Sequence, residues 1–166
     1  MYKIVVETMR EIRRKEKTIT NQDEIKEILL NKKYVTLALA KDNIPYIVTL
    51  SNGYDMIKNC IYFHCAKEGK KIDYLNSNNI VWGEAIQDLG YQEGECNHHF
   101  KTAQFKGKVS FVTDLNEKKQ ALTLMINQLE NSPKVVIEKQ LKESAIKKVT
   151  IGRIDIDFLS GKINIT

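Results

Sequence analysis

Three groups of residues in this 166-residue chain have types and spacing that could do chemistry. The first is the stretch from Ile61 to Leu75, IYFHCAKEGKKIDYL. An apolar run gives way to a short polar loop, and Lys70 and Lys71 then stand at the start of a helical pattern. A helix start offers unpaired backbone N–H groups and the positive end of the helix dipole. Gly69 lets the backbone bend close to a ligand and the two ammonium groups add charge, so the segment can cradle a phosphate. Taken alone, KEGKK also reads as a solvated turn. The second group is His64, whose side chain titrates near neutrality and could relay a proton, or could simply be a hydrogen-bonded residue at a strand end. The third is Cys96-x-His98-His99, where thiolate and imidazole both suit zinc or iron. Adjacent histidines on a strand point to opposite faces, and no second pair with ligand spacing follows. The sequence therefore assigns no metal site and reads Cys96 as a small packing residue.

Other chemistries find little support. Asp55 and Asp73 make no convincing carboxylate pair, and the chain contains no Gly-x-Ser-x-Gly, P-loop or dinucleotide fingerprint. Trp82 reads as core or dimer interface.

The elements that must position these residues are mixed. Thr20-Asn21-Gln22-Asp23 offers helix caps before Ile25, Ile28 and Leu29, which share one helical face. Residues 34–41 (YVTLALAK) and 45–51 (PYIVTLS) read as a hairpin around Asp42-Asn43. Third and fourth strands follow at 60–65 and 80–86, with a short helix over 67–75 between them. Residues 87–97 are polar and Gly-bearing and read as an exposed loop. A fifth strand lies within 100–112. Helices are expected over 116–131 and 133–141, and a last strand over 148–158. The strands come in hairpin-connected groups with few parallel crossovers. This pattern suits a mainly β (α+β) fold, a six-stranded antiparallel split β-barrel with peripheral helices, and does not suit a doubly wound parallel sheet. With no repeat or linker, residues 1–166 are expected to form one domain with a core of its own.

Composition bounds the class. The net charge of +5 is modest, and its densest cluster, Arg10, Arg13, Arg14, Lys15 and Lys17, reads as a solvated face. No nucleic-acid signature accompanies it. No apolar run approaches the ~20 residues of a membrane span, and no signal-peptide pattern is visible. Cys60, Cys65 and Cys96 are an odd set at irregular spacing, so reduced thiols in a soluble cytoplasmic protein are expected.

The order of blocks resembles the pyridoxamine 5'-phosphate oxidase-like flavin proteins, and within them the 5-nitroimidazole resistance (Nim) branch. The blocks are the basic start from Met9 to Lys15, the strand YVTLALA, PYIVTLSNGYD, IYFHCAKEGKKIDYL, CNHHFKTAQFKGKV and the closing DIDFLSGKI. They run in order over nearly the whole chain. The resemblance implies a homodimer with two flavin sites at its interface. It implies that Lys70 and Lys71 bind the flavin phosphate and that backbone from Val48, Thr49, Leu50 and Ser51 runs along the isoalloxazine edge. His64 and Cys65 would line the ring or ribityl region, with His64 as the catalytic candidate, and Thr102 would donate to phosphate or ring. The implied cofactor is FMN, with FAD or haem as alternatives. Thr49 stands where the family has proline, and Phe100 and Thr102-Ala103 replace its aromatic and Ser-Val positions. No pyridoxal-phosphate-binding C-terminal motif is evident, which argues against a true pyridoxamine phosphate oxidase. The implied function is an oxidoreductase reducing a small electrophile such as a nitroaromatic. Rival readings are a non-catalytic flavin- or haem-binding sensor on the same fold, and an interaction protein using its basic N-terminal segment.

Overall fold

In the computed structural model of the protein, residues 11–165 are described, so Met9 and Arg10 of the basic start lie outside the described residues. Local chemistry builds the first elements. After a 3-10 turn over Lys15–Lys17 and a two-residue strand β1 (Thr18–Ile19), helix α1 (Gln22–Asn31) begins where the Asn21 side chain accepts from the Asp23 N–H at 2.9 Å. The helix buries Ile25, Ile28 and Leu29, the face expected from their spacing.

Strands β2 (Tyr34–Lys41) and β3 (Ile44–Ser51) form the expected hairpin. Asp42 and Asn43 both adopt positive φ, 51° and 62°, which a two-residue turn matched to strand twist requires. Pro45 sits in β3, the edge strand of the sheet among the described residues, where proline is tolerated. The remaining elements are β4 (Gly53–Asp55), β5 (Cys60–Cys65), α2 (Lys70–Ser77), β6 (Ile80–Gln92), β7 (Asn97–Phe111), α3 (Leu115–Leu129), α4 (Pro133–Gln140), α5 (Glu143–Lys148) and β8 (Thr150–Asn164).

The described residues form eight strands, not six, in one open antiparallel sheet ordered β3-β2-β6-β7-β8-β5-β4, with β1 beside β8. The two additional strands are two and three residues long, too short for alternation to register in sequence. Residues 87–97 are not a loop: β6 and β7 continue as a hairpin to Gln92 and Asn97. That extension is largely solvent-exposed on both faces, so polar residues fill it and hide its period. Helix α5 and the last six residues of β8 were likewise outside the expected bounds.

The sheet curls around a core that includes Leu37, Leu39, Tyr54, Ile61, Phe63, Val81, Phe105 and Ile154, closed at one end by α1. A second cluster packs α3 on β5 through Cys60, Tyr62, Ala121, Met125 and Ile151. Two glycines permit the curl. Gly83 lies opposite Phe105, and Gly152 opposite Phe63, each so close to its ring that an added Cβ would fall 2.2 Å from Cζ. Strands β3 and β5 do not pair but approach each other across the split of the barrel, and α2 packs beside β2 there. Among the described residues no helix is long and apolar enough to cross a membrane.

Candidate functional site

Strand alternation distributes the residues singled out by sequence. On β5, Ile61, Phe63 and Cys65 belong with the barrel core, whereas Cys60, Tyr62 and His64 face α3–α5. On β3, Tyr46, Val48 and Leu50 pack inward, while Ile47, Thr49 and Ser51 point outward. The named residues therefore occupy three places.

The first is the split of the barrel. Helix α2 starts at Lys70 behind Gly69, whose φ of 124° is a conformation that side-chain-bearing residues rarely adopt. Among the described residues no side chain caps this end, which leaves the N–H groups of its first turn able to meet an anion. Lys70 Nζ lies 4.4 Å from the ring centroid of Tyr46 and 5.7 Å from that of Tyr74, the two rings being 5.1 Å apart and tilted by 56°. Lys71 Nζ lies 5.6 Å from the Phe63 centroid. Among the described residues neither ammonium pairs with a carboxylate. Cys65 borders the same place. Burial pushes its thiol up, and the Lys71 charge offsets part of that rise.

The second place is the outer face of the sheet. Thr49, Thr36, Glu84, Gln104 and Ser160 stand in one row across β3, β2, β6, β7 and β8. The hydroxyls of Thr36 and Thr49 are 3.1 Å apart, and Gln104 Nε2 donates to Glu84 at 2.9 Å. Thr102, buried and paired with Ile86 and Lys162, lies one row along and lines a depression of about 480 Å³. A second depression of about 570 Å³ is bounded by Trp82, Phe158 and the N-terminal residues Glu11, Ile12 and Lys15. Ile47, Trp82 and Ile86 are exposed on this face at 68%, 41% and 53%.

The third place belongs to His64. It opens on an apolar cavity of about 300 Å³ whose walls include Leu122, Ile126, Leu129, Ile146 and Val149. Its imidazole is exposed and makes no hydrogen bond among the described residues. Cys65, the next residue, faces the other way, so the two do not line one surface.

Sequence reasoning did not single out Tyr46, Tyr74 or Asn52. Asn52 follows Ser51, is fully buried, and neither atom of its amide has a partner among the described residues. Only its position in SNGYD, directly after the expected flavin-edge strand, hinted at it. Among the described residues no three His, Cys, Asp or Glu side chains are grouped as metal ligands would be. His98 instead contacts Asp88 at 2.8 Å and Tyr91 edge-on, and Cys96 sits exposed at the hairpin tip with φ 48°. The basic cluster is partly self-neutralised, with Arg14 on Glu16 at 2.8 Å and Lys15 on Glu11 at 3.3 Å, while Lys17 donates to the uncharged Asn164 side chain.

An open, curled antiparallel sheet, plugged by helices and carrying a basic helix start at its split, defines a split-barrel protein. The sequence matches the pyridoxamine 5'-phosphate oxidase family profile over residues 21–163, and the chain belongs to that family. A candidate 5-nitroimidazole antibiotic resistance protein from Bacteroides thetaiotaomicron is similar at 24% identity and TM-score 0.73, over 88% of this chain and 86% of that one. A FAD-binding protein from Mesorhizobium loti is 22% identical with TM-score 0.63, over 89% and 97%. The flavocytochrome Anf3 from Azotobacter vinelandii is 14% identical with TM-score 0.76, over 95% and 73%. These likenesses establish the shared fold. No curated protein sequence matches the chain.

Proposed function

We propose that this protein is a homodimeric cytoplasmic flavoprotein oxidoreductase that holds FMN, or FAD in its place, and reduces a small electrophile such as a nitroaromatic. One observation carries the reading. Two lysines without a carboxylate partner among the described residues stand at a helix N-terminus that no described side chain caps, each over an aromatic face, where the barrel splits. The residues fit a flavin phosphate, since free N–H groups and ammonium charge are what it binds. The orphaned amide of Asn52, beside Ser51, fits a polar neighbour at the end of β3. Family membership and the flavin-binding solved relatives support the same cofactor class.

A bound flavin supplies the exchange of electrons between a nicotinamide or other reductant and the acceptor. The chain's own residues do the rest. Lys70 and Lys71 fix the phosphate, Thr49 and Ser51 present the outward edge of β3, and Thr102 offers a hydroxyl on the outer face. His64 carries a proton at the mouth of a cavity with apolar walls, sized for a one- or two-ring acceptor. A second copy docking on the exposed Ile47, Trp82 and Ile86 would cover an apolar face that a monomer leaves wet.

The test is an absorption spectrum after FMN addition and gel filtration, on wild type and on Lys70→Ala/Lys71→Ala. Flavin bands that co-elute with wild type and fall at least tenfold in the variant are expected; equal binding by both would remove the assignment. A haem-binding reading is favoured by the hydrogen-bond-free His64 and by the flavocytochrome relative. A Soret band that disappears in His64→Ala would establish it instead.

A further inference from the structure

We propose that Tyr46, with Tyr74 behind it, is a positioning residue that holds the Lys70 ammonium in place for an anionic phosphate. The inference rests on the flavin-phosphate reading above and deepens it. A free lysine has four rotatable bonds, and an exposed ammonium loses that freedom when it meets an anion. Lys70 is exposed and has no carboxylate partner among the described residues, yet its Nζ is 4.4 Å from the Tyr46 ring centre and 5.7 Å from that of Tyr74. Those distances lie within the range over which a ring face attracts a cation.

The shelf itself is held firmly. Tyr46 comes from β3, Tyr74 from α2, and their rings contact at 5.1 Å, so the pair ties helix to strand across the split. Tyr46 packs against the barrel core, and Tyr74 is buried within it. Lys71 has a parallel arrangement over Phe63, whose ring lies flat on Gly152. Neither lysine is neutralised by its shelf, because a ring face offers quadrupole attraction and no counter-charge. The ammonium groups thus keep their full attraction for an anion while the aromatic faces restrict where they sit. Pre-organisation of this kind strengthens binding by lowering the ordering cost at the moment of contact.

The experiment compares FMN with riboflavin, which lacks the phosphate, by fluorescence titration of wild type, Tyr46→Leu, Tyr46→Phe and Lys70→Ala. Tyr46→Leu should weaken FMN about fivefold, or ~1 kcal/mol at 1.4 kcal/mol per factor of ten, and leave riboflavin within a factor of two. Tyr46→Phe, which keeps the ring face, should bind FMN as wild type does. In the Lys70→Ala background, Tyr46→Leu should have no further effect on FMN. A Tyr46→Leu loss shared equally by FMN and riboflavin, or no loss, or an undiminished loss in the Lys70→Ala background, overturns the positioning role. The two readings separate through Lys70→Ala alone. If it lowers the FMN-to-riboflavin preference and Tyr46→Leu does not, only the positioning role falls. If Lys70→Ala leaves the preference unchanged, the phosphate assignment and the positioning role fall together.

Discussion

Replacing Gly152 by alanine should destabilise the protein by about 2 kcal/mol, although it adds only one methyl group. The ideal Cβ at Gly152 would stand 2.2 Å from Phe63 Cζ and 2.6 Å from both Cε atoms. Ordinary carbon–carbon contact begins near ~3.5 Å, so the ring would have to retreat by more than about 1 Å. It has nowhere to go: Phe63 is fully buried and packed among the core residues of β5 and its neighbours. Overpacking of a closed core costs roughly 1–3 kcal/mol, and the entropy that alanine removes from the unfolded chain returns roughly 0.4–1 kcal/mol. At roughly 2–4 °C per kcal/mol for a chain of this size, the melting temperature should fall by about 4–8 °C. Urea unfolding of wild type, Gly152→Ala, Phe63→Leu and the double variant isolates the cause. Leucine vacates the space over Gly152, so the double variant should be at least ~1 kcal/mol more stable than the sum of the single effects implies. Strict additivity, or a Gly152→Ala midpoint within error of wild type, would refute the ring-on-glycine account of the curl.

Three further outcomes are expected. Light scattering should give a mass near twice 19.2 kDa, and Ile86→Lys, which places a charge on the outer face, should return the monomer mass; an unchanged wild-type-like dimer would move the interface elsewhere. Burial alone would raise the Glu117 carboxyl, but the Tyr62 hydroxyl and Arg153, both donating to it at 2.8 Å, hold it below its usual 4.5. Its contribution to stability is therefore present above pH 4.5 and lost as pH falls through the depressed value. Glu117→Gln should cost about 1–3 kcal/mol at pH 7 and progressively less in acid, and a gap that stays constant to pH 3 would contradict the sign. His64→Ala should leave thermal stability nearly unchanged, because the imidazole is exposed and unbonded among the described residues, yet lower turnover with a nitroaromatic acceptor roughly 100-fold at unchanged FMN affinity. Full activity in that variant would remove its proton-carrying role.

Legibility in the sequence followed how strongly each element is half-buried. Helix α1 and the β2–β3 hairpin were readable because one face meets the core and Asn21, Asp42 and Asn43 carry distinctive end chemistry. The far half of the β6–β7 hairpin was not, since strands wet on both faces have no reason to alternate. The cradle was visible as a motif at Gly69-Lys70-Lys71, but the shelves beneath it were not. Tyr46 lies 24 residues before Lys70 on another strand, so only folding brings the two together.

The same alternation that made strands legible divides the candidate site. His64 and Cys65 are neighbours in sequence, and a strand must send them to opposite faces. Cys65 joins the barrel core beside Lys71, where burial pushes its thiol up and the lysine charge offsets part of the rise. His64 is directed instead to the cavity made by the helices inserted between β7 and β8. Residues 115–148 thus give His64 an apolar chamber that the barrel alone does not provide. Acceptor choice should accordingly follow substitutions at Leu122, Ile126 and Ile146, and cofactor affinity should follow those at the split.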